Sequence, residues 1–325
     1  MTRVTLASML RRVYGFTLVA GFLCVYTSSG VAEDQRAIPD DNLAYPVLIT
    51  VNEKSGALRS TGSGFYVYND KFVYLVTAKH VLFDEQTHQL PVCGEDQKAQ
   101  KKIYCGIELR SYSKDPQDAQ SNLYALDMEA LQDDGNIRPH PTQDVAVIRL
   151  FTVTKPPVSP LPSGSTQGPT SPGSLQSLPG VTTESMAQQG LLAVPPEGIK
   201  PFSQVLVGND VIVFGYPTSL ALQDIPQLDL HHPLLRKGIV AGSNPITKSI
   251  FLDCPVYFGN SGGPVLELDK DKNNVLQTNL RIIGVVTTYI PFIDTALSRT
   301  VAIKVEGNSG YSMATPMDFV LELLK

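Results

Sequence analysis

The residues best suited to chemistry surround Ser261, in the segment Phe258-Gly259-Asn260-Ser261-Gly262-Gly263-Pro264. A serine hydroxyl becomes an effective nucleophile when a neighbouring base removes its proton during the attack. Glycines on both sides allow backbone dihedral angles that other residues avoid, so backbone N–H groups can converge on a developing oxyanion. Ser261 is therefore the candidate nucleophile of a hydrolytic enzyme.

The order of residues along the chain separates two kinds of serine hydrolase. The pattern Gly-x-Ser-x-Gly also fits the nucleophile elbow of an α/β-hydrolase, which needs its histidine after the serine. All five histidines of this chain precede Ser261, namely His80, His88, His140, His231 and His232. The elbow interpretation fails, and the order histidine, aspartate, serine remains.

His80 and Asp144 are the best partners for Ser261. His80 directly follows a predicted hairpin with strands at 64–68 and 72–77 and a turn at Asn69-Asp70. Asp144 precedes a Val- and Ile-rich segment that predicts a strand, where a carboxylate can orient an imidazole. Each residue alone is typical of a loop or turn. The three contexts together favour a triad with His80 as general base and Asp144 as its orienting group.

The elements that must position these residues are short strands separated by turns, which predict an all-β protein. We expect an N-terminal β-barrel at 33–154 carrying His80 and Asp144, and a C-terminal barrel at 191–325 carrying Ser261. The stretch 155–190 is rich in Pro, Ser and Gly and predicts a disordered linker. Thr315 and Pro316 predict the start of a short C-terminal helix. The strands are predicted at 47–51, 64–68, 72–77, 103–110, 145–150, 205–207, 211–214, 238–241, 249–252, 264–268 and 282–287.

Three segments resemble the trypsin-like serine peptidases, especially their bacterial secreted and HtrA-like branches. They are Thr-Ala-Lys-His-Val around His80, Asp-Val-Ala-Val-Ile-Arg-Leu from Asp144, and Gly-Asn-Ser-Gly-Gly-Pro-Val around Ser261. Weaker matches follow in the same order along the chain, at 62–65, 214–217 and 282–287. The resemblance covers roughly 45–325 apart from the linker. It implies a chymotrypsin-like fold of two six-stranded antiparallel barrels and a serine endopeptidase that forms an acyl-enzyme. No stretch resembles a PDZ module, so we expect a peptidase without one.

The resemblance also implies further site residues. The N–H groups of Gly259 and Ser261 would form the oxyanion hole. Pro255 would lie at the base of the pocket for the side chain before the scissile bond, where trypsin specificity requires a carboxylate. The strand after the serine would pair with substrate through Gly284, Val285 and Val286, which favours a small or medium apolar side chain there.

Two departures from the family pattern concern activation. The chymotrypsin branch places an aspartate directly before the serine, and a freshly cut N-terminus forms an ion pair with it. This chain has Asn260 at that position, and a neutral amide cannot form the pair. It also has no Ile-Val-Gly-Gly-like terminus. We therefore expect maturation that differs from trypsinogen cleavage and needs only removal of a signal peptide.

The N-terminus predicts export. Residues 1–32 contain three arginines, no acidic residue and an apolar run at 13–25, and they end in Gly30-Val31-Ala32. This pattern is typical of a secretory signal peptide, and the apolar run is short for a membrane span. We expect a secreted or periplasmic protein without stable membrane insertion, the alternative being an uncleaved signal anchor. Without residues 1–32 the chain has 23 Lys plus Arg against 31 Asp plus Glu, a formal charge of −8 that argues against a nucleic-acid partner.

Three cysteines follow the signal peptide. Cys93 and Cys105 lie twelve residues apart in a polar segment after His80, and in an oxidising compartment they are a plausible disulfide pair. Cys254 would then be a free, buried thiol. A bridge from Cys254 to either of the other two stays open as an alternative.

The remaining features limit the choice of function. We interpret His140, in Arg138-Pro139-His140-Pro141, as a surface residue, and no histidine has partners at metal-ligand spacing, so we expect no metal and no cofactor. The expected partner is a polypeptide substrate. Two alternatives to a peptidase stay open: a catalytically inactive binding protein with the same fold, and an esterase that uses the same nucleophile.

Overall fold

The computed structural model describes residues 38–96, 98, 100–112, 121–155, 168–186, 190–219, 227, 229, 232–270, 278–297 and 302–325. The predicted signal peptide lies outside the described residues, as do 156–167 and 187–189 of the predicted linker. No helix in the described ranges is long and apolar enough to cross a membrane.

Seventeen strands and three short α-helices make up the described regular structure, and the predicted all-β class is confirmed. The strands are β1 Pro46–Asn52, β2 Leu58–Tyr68, β3 Phe72–Thr77, β4 Val92–Asp96, β5 Lys101–Tyr104, β6 Gly106–Tyr112, β7 Ser121–Leu126, β8 Ile137–Pro139, β9 Ala146–Lys155, β10 Ser174–Ser177, β11 Val181–Ser185, β12 Asp210–Gly215, β13 Leu234–Asn244, β14 Ser249–Asp253, β15 Pro264–Lys270, β16 Thr278–Leu297 and β17 Ala302–Pro316. The helices are α1 Lys79–Leu82, α2 Met128–Asp133 and α3 Met317–Leu323.

The N-terminal half is a curled antiparallel sheet around an apolar core. Six strands form its centre in the order β9-β3-β2-β1-β6-β7, which matches the predicted number. Three short strands extend it, because β10 and β8 pair with β9 and β11 pairs with β7. Instead of a closed six-stranded barrel, the described residues therefore form a nine-stranded sheet whose end strands do not pair with each other.

Part of the predicted disordered linker is folded, which corrects the sequence analysis. Strands β10 and β11 both lie within 155–190, and they lengthen opposite ends of the N-terminal sheet. Backbone pairing with β9 and β7 gives these strands hydrogen bonds that a Pro- and Ser-rich composition does not reveal. Val181 is also buried in the core of the sheet, which anchors β11.

The C-terminal half is a closed six-stranded barrel in the order β12-β13-β14-β17-β16-β15. Its core consists of buried aliphatic residues from these strands, among them Val213, Leu252 and Val265. The predicted strand at 205–207 is wrong, because these residues follow a 3-10 helix and form a turn. Strand β17 was not predicted, since its polar residues, Glu306 to Ser312 for example, hide the pattern of a strand.

Helix α3 joins the two halves. Met317 and Val320 are fully buried in a cluster that includes Tyr74 and Val147 from the N-terminal sheet and Leu266 from the C-terminal barrel. The helix begins one residue later than predicted, with Pro316 as N-cap and without a side-chain cap hydrogen bond. Residues 36–325 consequently form one compact unit, which fixes the two halves relative to each other.

Candidate active site

His80 and Asp144 come together because β3 and β9 are neighbouring strands. Thr77 pairs with Ala146, so the residues just after β3 lie beside the residues just before β9. The imidazole Nδ1 of His80 is 2.7 Å from Asp144 Oδ2, and the His80 backbone N–H donates to Asp144 Oδ1 at 3.0 Å. The carboxylate thus holds both the ring and the backbone of His80, which fixes the direction of the ring.

The charges of this pair reinforce each other. Burial on its own lowers the pKa of His80, but the hydrogen bond and charge of Asp144, with a smaller contribution from the charge of Glu85, outweigh it. The pKa of His80 is therefore raised above its ordinary 6.5. Burial likewise acts to raise the pKa of Asp144, but the contacts with His80 and the charge of Lys79 outweigh it and hold that pKa below its usual range.

Ser261 lies in the loop between β14 and β15, and glycines determine the path of this loop. Gly259 and Gly262 have φ angles of 97° and 88°, a region that favours glycine. A Cβ atom on Gly259 would collide with the backbone oxygen of Tyr216, and one on Gly262 would collide with that of Ser63. The glycine-rich sequence is thus required by both conformation and close packing.

Two backbone N–H groups beside the serine hydroxyl are free. In the part of the chain that the structure describes, the N–H groups of Gly259 and Ser261 donate no hydrogen bond, whereas that of Asn260 donates to Tyr257 O at 2.9 Å and that of Gly262 to Val286 O at 2.7 Å. The side chain of Asn260 is buried and accepts the Tyr257 N–H at 3.0 Å. The loop is therefore stabilised locally by an amide, without an ion pair at that position.

Ser63, on β2, connects the serine loop to the N-terminal sheet. Its hydroxyl donates to Gly259 O at 2.6 Å and accepts the Tyr216 N–H at 2.9 Å, and its N–H donates to Ser261 O at 2.8 Å. Ser63 is fully buried. Ser63 belongs to the weaker family match at 62–65, and its position between Gly62 and Gly64 indicates close packing on both sides, but the sequence predicted no contact with the serine loop.

His80, Asp144 and Ser261 line one cavity of about 490 Å³. The Ser261 hydroxyl donates to Thr287 O at 3.4 Å, and within the described residues it makes no hydrogen bond to His80. The wall beside His80 carries charged residues, Lys79, Asp84 and Glu85, while the wall beside Ser261 is aromatic, with Tyr257, Phe258 and Tyr289. Phe258 is 70% exposed and contacts Tyr289 edge to face with ring centroids 5.9 Å apart.

The predicted substrate-binding residues do not line this cavity. Val285 and Val286 are fully buried and pack into two different cores, because consecutive residues of a strand point to opposite faces and both faces of β16 are covered here. Gly284 is buried as well, and Pro255 lies outside the lining. The cavity is lined instead by the residues that follow each of these positions, Val256 to Phe258 and Thr287 to Tyr289.

The cysteines and His140 complete the residues singled out in the sequence. Cys93 and Cys105 form a disulfide between β4 and the residue after β5, with Cα atoms 4.9 Å apart. Cys254 is a free, buried thiol whose pKa burial raises to about 11. His140 is also buried, at 6% exposure, so the predicted surface position is wrong. Among the described residues no group of three or more His, Cys, Asp or Glu is arranged to hold a metal ion.

Comparison with solved structures finds proteins with low sequence identity. An HtrA-type protease, AlgW with a tripeptide, has 12% identity and a TM-score of 0.43, over 87% of this chain and 59% of its own. The serine endoprotease from Yersinia pestis has 17% identity and a TM-score of 0.40, over 87% and 65%. Deg5 has 18% identity and a TM-score of 0.43, over 87% and 88%. The chain therefore spans less than two thirds of the length of the first two.

Sequence comparisons identify a family but no individual curated relative. A comparison with curated protein sequences finds no match. The profile of the trypsin-like peptidase domain, in contrast, matches residues 62–275, which is well over half of the chain and includes the three motifs around His80, Asp144 and Ser261. The resemblance to trypsin-like peptidases stated from sequence is confirmed, and the chain belongs to the trypsin-like peptidase domain family.

Proposed function

We propose that this chain is an exported serine endopeptidase in which Ser261 is the nucleophile, His80 the general base and Asp144 the group that orients His80. The observation that carries the proposal is the shared cavity: the bonded pair of His80 and Asp144 and the hydroxyl of Ser261 all line it. A polypeptide in this cavity would present its scissile carbonyl to Ser261 and His80, with Asp144 behind the His80 ring.

The chemistry divides peptide hydrolysis into two steps. Ser261 Oγ attacks the scissile carbonyl carbon while His80 Nε2 takes its proton. His80 then donates that proton to the leaving amine, so the C–N bond breaks and an acyl-enzyme on Ser261 remains. Water attacks the ester with His80 again as base, and the proton returns to Ser261 as the acid product leaves. Asp144 stabilises the imidazolium in both steps through the 2.7 Å contact.

The free N–H groups of Gly259 and Ser261 are the proposed oxyanion hole. Both belong to the serine loop and neither is used by another acceptor in the described residues. A donor of this kind contributes about 3 to 4 kcal/mol to transition-state stabilisation in enzymes where one has been removed. Gly259 has a positive φ, which glycine adopts without strain, so a glycine at this position can keep its N–H group in the loop conformation described above.

The hydrogen bond from Ser261 to Thr287 O describes a resting position of the hydroxyl. At 3.4 Å this bond is long, so little free energy opposes a rotation of the side chain toward His80. Catalytic hydrogen bonds are often loose before substrate binds and become shorter in the complex. We expect the hydroxyl to rotate toward His80 when a substrate carbonyl binds next to Ser261.

The proposal includes export and a division of labour between the two halves. Residues 1–32 form the proposed signal peptide, and the Cys93–Cys105 disulfide supports an oxidising destination, either secreted or periplasmic. In this proposal the half at 33–154 supplies His80 and Asp144, and the half at 191–325 supplies Ser261 and the oxyanion hole. Polypeptides are the proposed substrates.

The decisive experiment is labelling of the mature chain, 33–325, by a fluorophosphonate probe together with hydrolysis of a quenched fluorescent peptide library. We expect Ser261→Ala to abolish both signals, and Ser243→Ala, at an exposed position of β13, to leave both unchanged. Equal labelling of the Ser261→Ala variant would exclude the proposed nucleophile. Turnover of small esters without any peptide cleavage would indicate the esterase alternative.

A further inference from the structure

His140 is buried between the loop that carries Asp144 and helix α3. Its ring meets the ring of Phe319 edge-on, with centroids 5.1 Å apart, and its Nε2 is 3.3 Å from Glu322 Oε2. Prolines on both sides suggest an exposed turn in the sequence, but α3 covers this turn in the fold. A buried imidazole that the mechanism does not use requires an explanation, since burial of a polar ring is favourable only when its nitrogens are satisfied.

Both nitrogens of the His140 ring are satisfied, and in a specific way. The backbone N–H of Gln143 points to Nδ1 at 3.0 Å and that of Thr142 at 3.3 Å. A ring nitrogen that accepts hydrogen bonds carries no proton, so this network assigns the proton to Nε2, which donates to Glu322. The ring is thus an acceptor toward the loop and a donor toward α3.

The contacts of His140 enclose the residues next to Asp144. The His140 N–H donates to Val145 O at 2.9 Å, which closes a turn around 140–145. Within this turn the two N–H groups preceding Asp144 end on the ring of His140. Lys79, the neighbour of His80, donates from Nζ to His140 O at 3.2 Å. The turn is therefore connected to the helix that carries His80 as well as to α3.

Asp144 depends on this turn for its position. In the described residues its carboxylate accepts hydrogen bonds only from His80, through the ring and the backbone N–H. Those bonds cannot fix Asp144 independently of His80, because His80 is the group that Asp144 must orient. The backbone of Asp144 has to be held from the other side, and the His140 ring is what the preceding backbone N–H groups contact.

We propose that His140 is a positioning residue whose Nδ1 acceptor fixes the 140–145 turn and so holds Asp144 against His80. The inference rests on the proposed function, because it assumes that Asp144 orients a catalytic His80. The competing explanation is that His140 merely fills space under α3. The two explanations predict opposite results for two substitutions that separate the acceptor from the ring.

The test compares His140→Asn with His140→Phe in the mature chain. An asparagine Oδ1 occupies the place of Nδ1 and can accept the same N–H groups, as in an Asx turn, but it lacks the ring. A phenylalanine keeps the ring and the contact with Phe319 but has no acceptor. We expect His140→Asn to keep kcat within about threefold of the parent chain, and His140→Phe to lower kcat roughly 10- to 100-fold with little change in KM.

A second measurement reports on Asp144 directly. The proton between His80 Nδ1 and Asp144 gives a low-field resonance in the proton NMR spectrum, and we expect it in the parent and in His140→Asn but not in His140→Phe. Thermal melts verify that each variant folds. If His140→Phe does not fold, His140→Gln replaces it, because its amide can reach Glu322 while no acceptor atom occupies the place of Nδ1.

The inference is overturned if His140→Phe is as active as the parent or if the two variants lose equal activity. It is also overturned if only His140→Asn is impaired, because that is the result expected when His140 merely fills space. Ser261→Ala assayed in parallel separates this failure from failure of the proposed function. Activity that depends on Ser261 but survives His140→Phe defeats only the role of His140. Activity that survives Ser261→Ala defeats the proposed function itself.

Discussion

The two sides of the cleft differ in how completely they are assembled. His80 and Asp144 come from neighbouring strands of one sheet, and two hydrogen bonds of 2.7 and 3.0 Å already connect them. Ser261 comes from a glycine-rich loop of the other half, and its hydroxyl points to a carbonyl of its own barrel at 3.4 Å. The proposed proton-transfer pair is thus already bonded, whereas the proposed nucleophile makes no hydrogen bond to His80 in the described residues.

The reason lies in what holds each side. Strand pairing between β3 and β9, together with the turn at 140–145, determines the position of His80 relative to Asp144, so this geometry does not depend on the serine loop. The position of the serine loop depends on contacts between the halves, above all those made by Ser63. We therefore expect substitutions at Asp144 to impair the proton transfer itself. Substitutions in the serine loop should instead impair its contacts with the N-terminal sheet and the proposed oxyanion hole.

The largest effect is expected for Asp144→Asn, which tests the assembled side. An asparagine can still accept the His80 N–H, but its amide would donate toward Nδ1, so the proton of the ring would move to Nε2 and His80 could no longer act as base. We expect kcat to fall about 10⁴-fold, the size of effect known for this substitution in a serine protease triad. Steady-state peptide hydrolysis measures it.

Asp84→Asn is the matched control for this prediction, because Asp84 lines the same cavity but its carboxylate, in the described part of the chain, accepts hydrogen bonds only from Gln86 and Thr87. It should retain activity close to that of the parent. A loss of less than tenfold in Asp144→Asn would show that the pair is not the proton-transfer unit, and the contrast between the two sides would disappear.

A smaller loss is expected for Gly259→Ala, which tests the loop. The φ of 97° is strained for alanine, and its Cβ would push against Tyr216 O and Thr218. The loop must shift, and the Gly259 N–H would leave the oxyanion hole, so we expect kcat to fall roughly 10²- to 10³-fold. The NMR resonance of the His80–Asp144 proton should remain, because that pair belongs to the other half.

Gly208→Ala is the control that separates the effect of backbone strain from the effect of a position in the serine loop. Gly208 has a similar φ of 92°, but nothing lies within 4 Å of an added Cβ and the residue is remote from the cavity lining. Because Gly208 does not line the cavity, its substitution should cost stability without altering kcat. If both variants lose the same activity, general destabilisation explains the result and the loop has no separate function.

The sequence points more directly to the proposed reacting groups than to the residues that line the cavity. The motifs around His80, Asp144 and Ser261 each depend on local chemistry, such as a strand end or a glycine turn, and their order along the chain was enough to select them together. The residues that line the cavity lie one or two positions after the predicted substrate-binding residues, because Val285 and Val286 belong to a strand whose two faces are both buried there. No alternation of polar and apolar residues marks the accessible position in such a strand.

Contacts that are distant in sequence explain the other differences. His140 is buried by α3, which begins 177 residues later in the chain, and β10 and β11 become strands only because the edges of the sheet are available to them. Neither contact has a local signal, since flanking prolines and a Pro-, Ser- and Gly-rich composition indicate turns or a linker. Local patterns therefore point to the proposed reacting groups but not to the residues that support them.

The smallest expected effect concerns the negative charge of Glu85 near His80. It tests whether the N-terminal half alone controls the protonation of His80. The groups that raise the pKa of His80 against its burial, Asp144 and Glu85, both belong to the N-terminal half. The proposed mechanism requires neutral His80, so we expect kcat/KM to rise with pH, with a midpoint above 6.5 because the pKa of His80 is raised. Glu85→Gln removes a negative charge, which disfavours the protonated ring, and the midpoint should move to lower pH.

This shift can be separated from nonspecific charge effects. Glu184→Gln removes an equal charge from an exposed position on β11 and should leave the midpoint in place. Glu85 is exposed, so added salt should screen its influence and bring the midpoint of the parent chain toward that of the variant, while the hydrogen-bonded contribution of Asp144 persists. A midpoint that moves to higher pH in Glu85→Gln, or that responds to Gly259→Ala as strongly as to Glu85→Gln, would mean that the serine loop also determines the charge of His80.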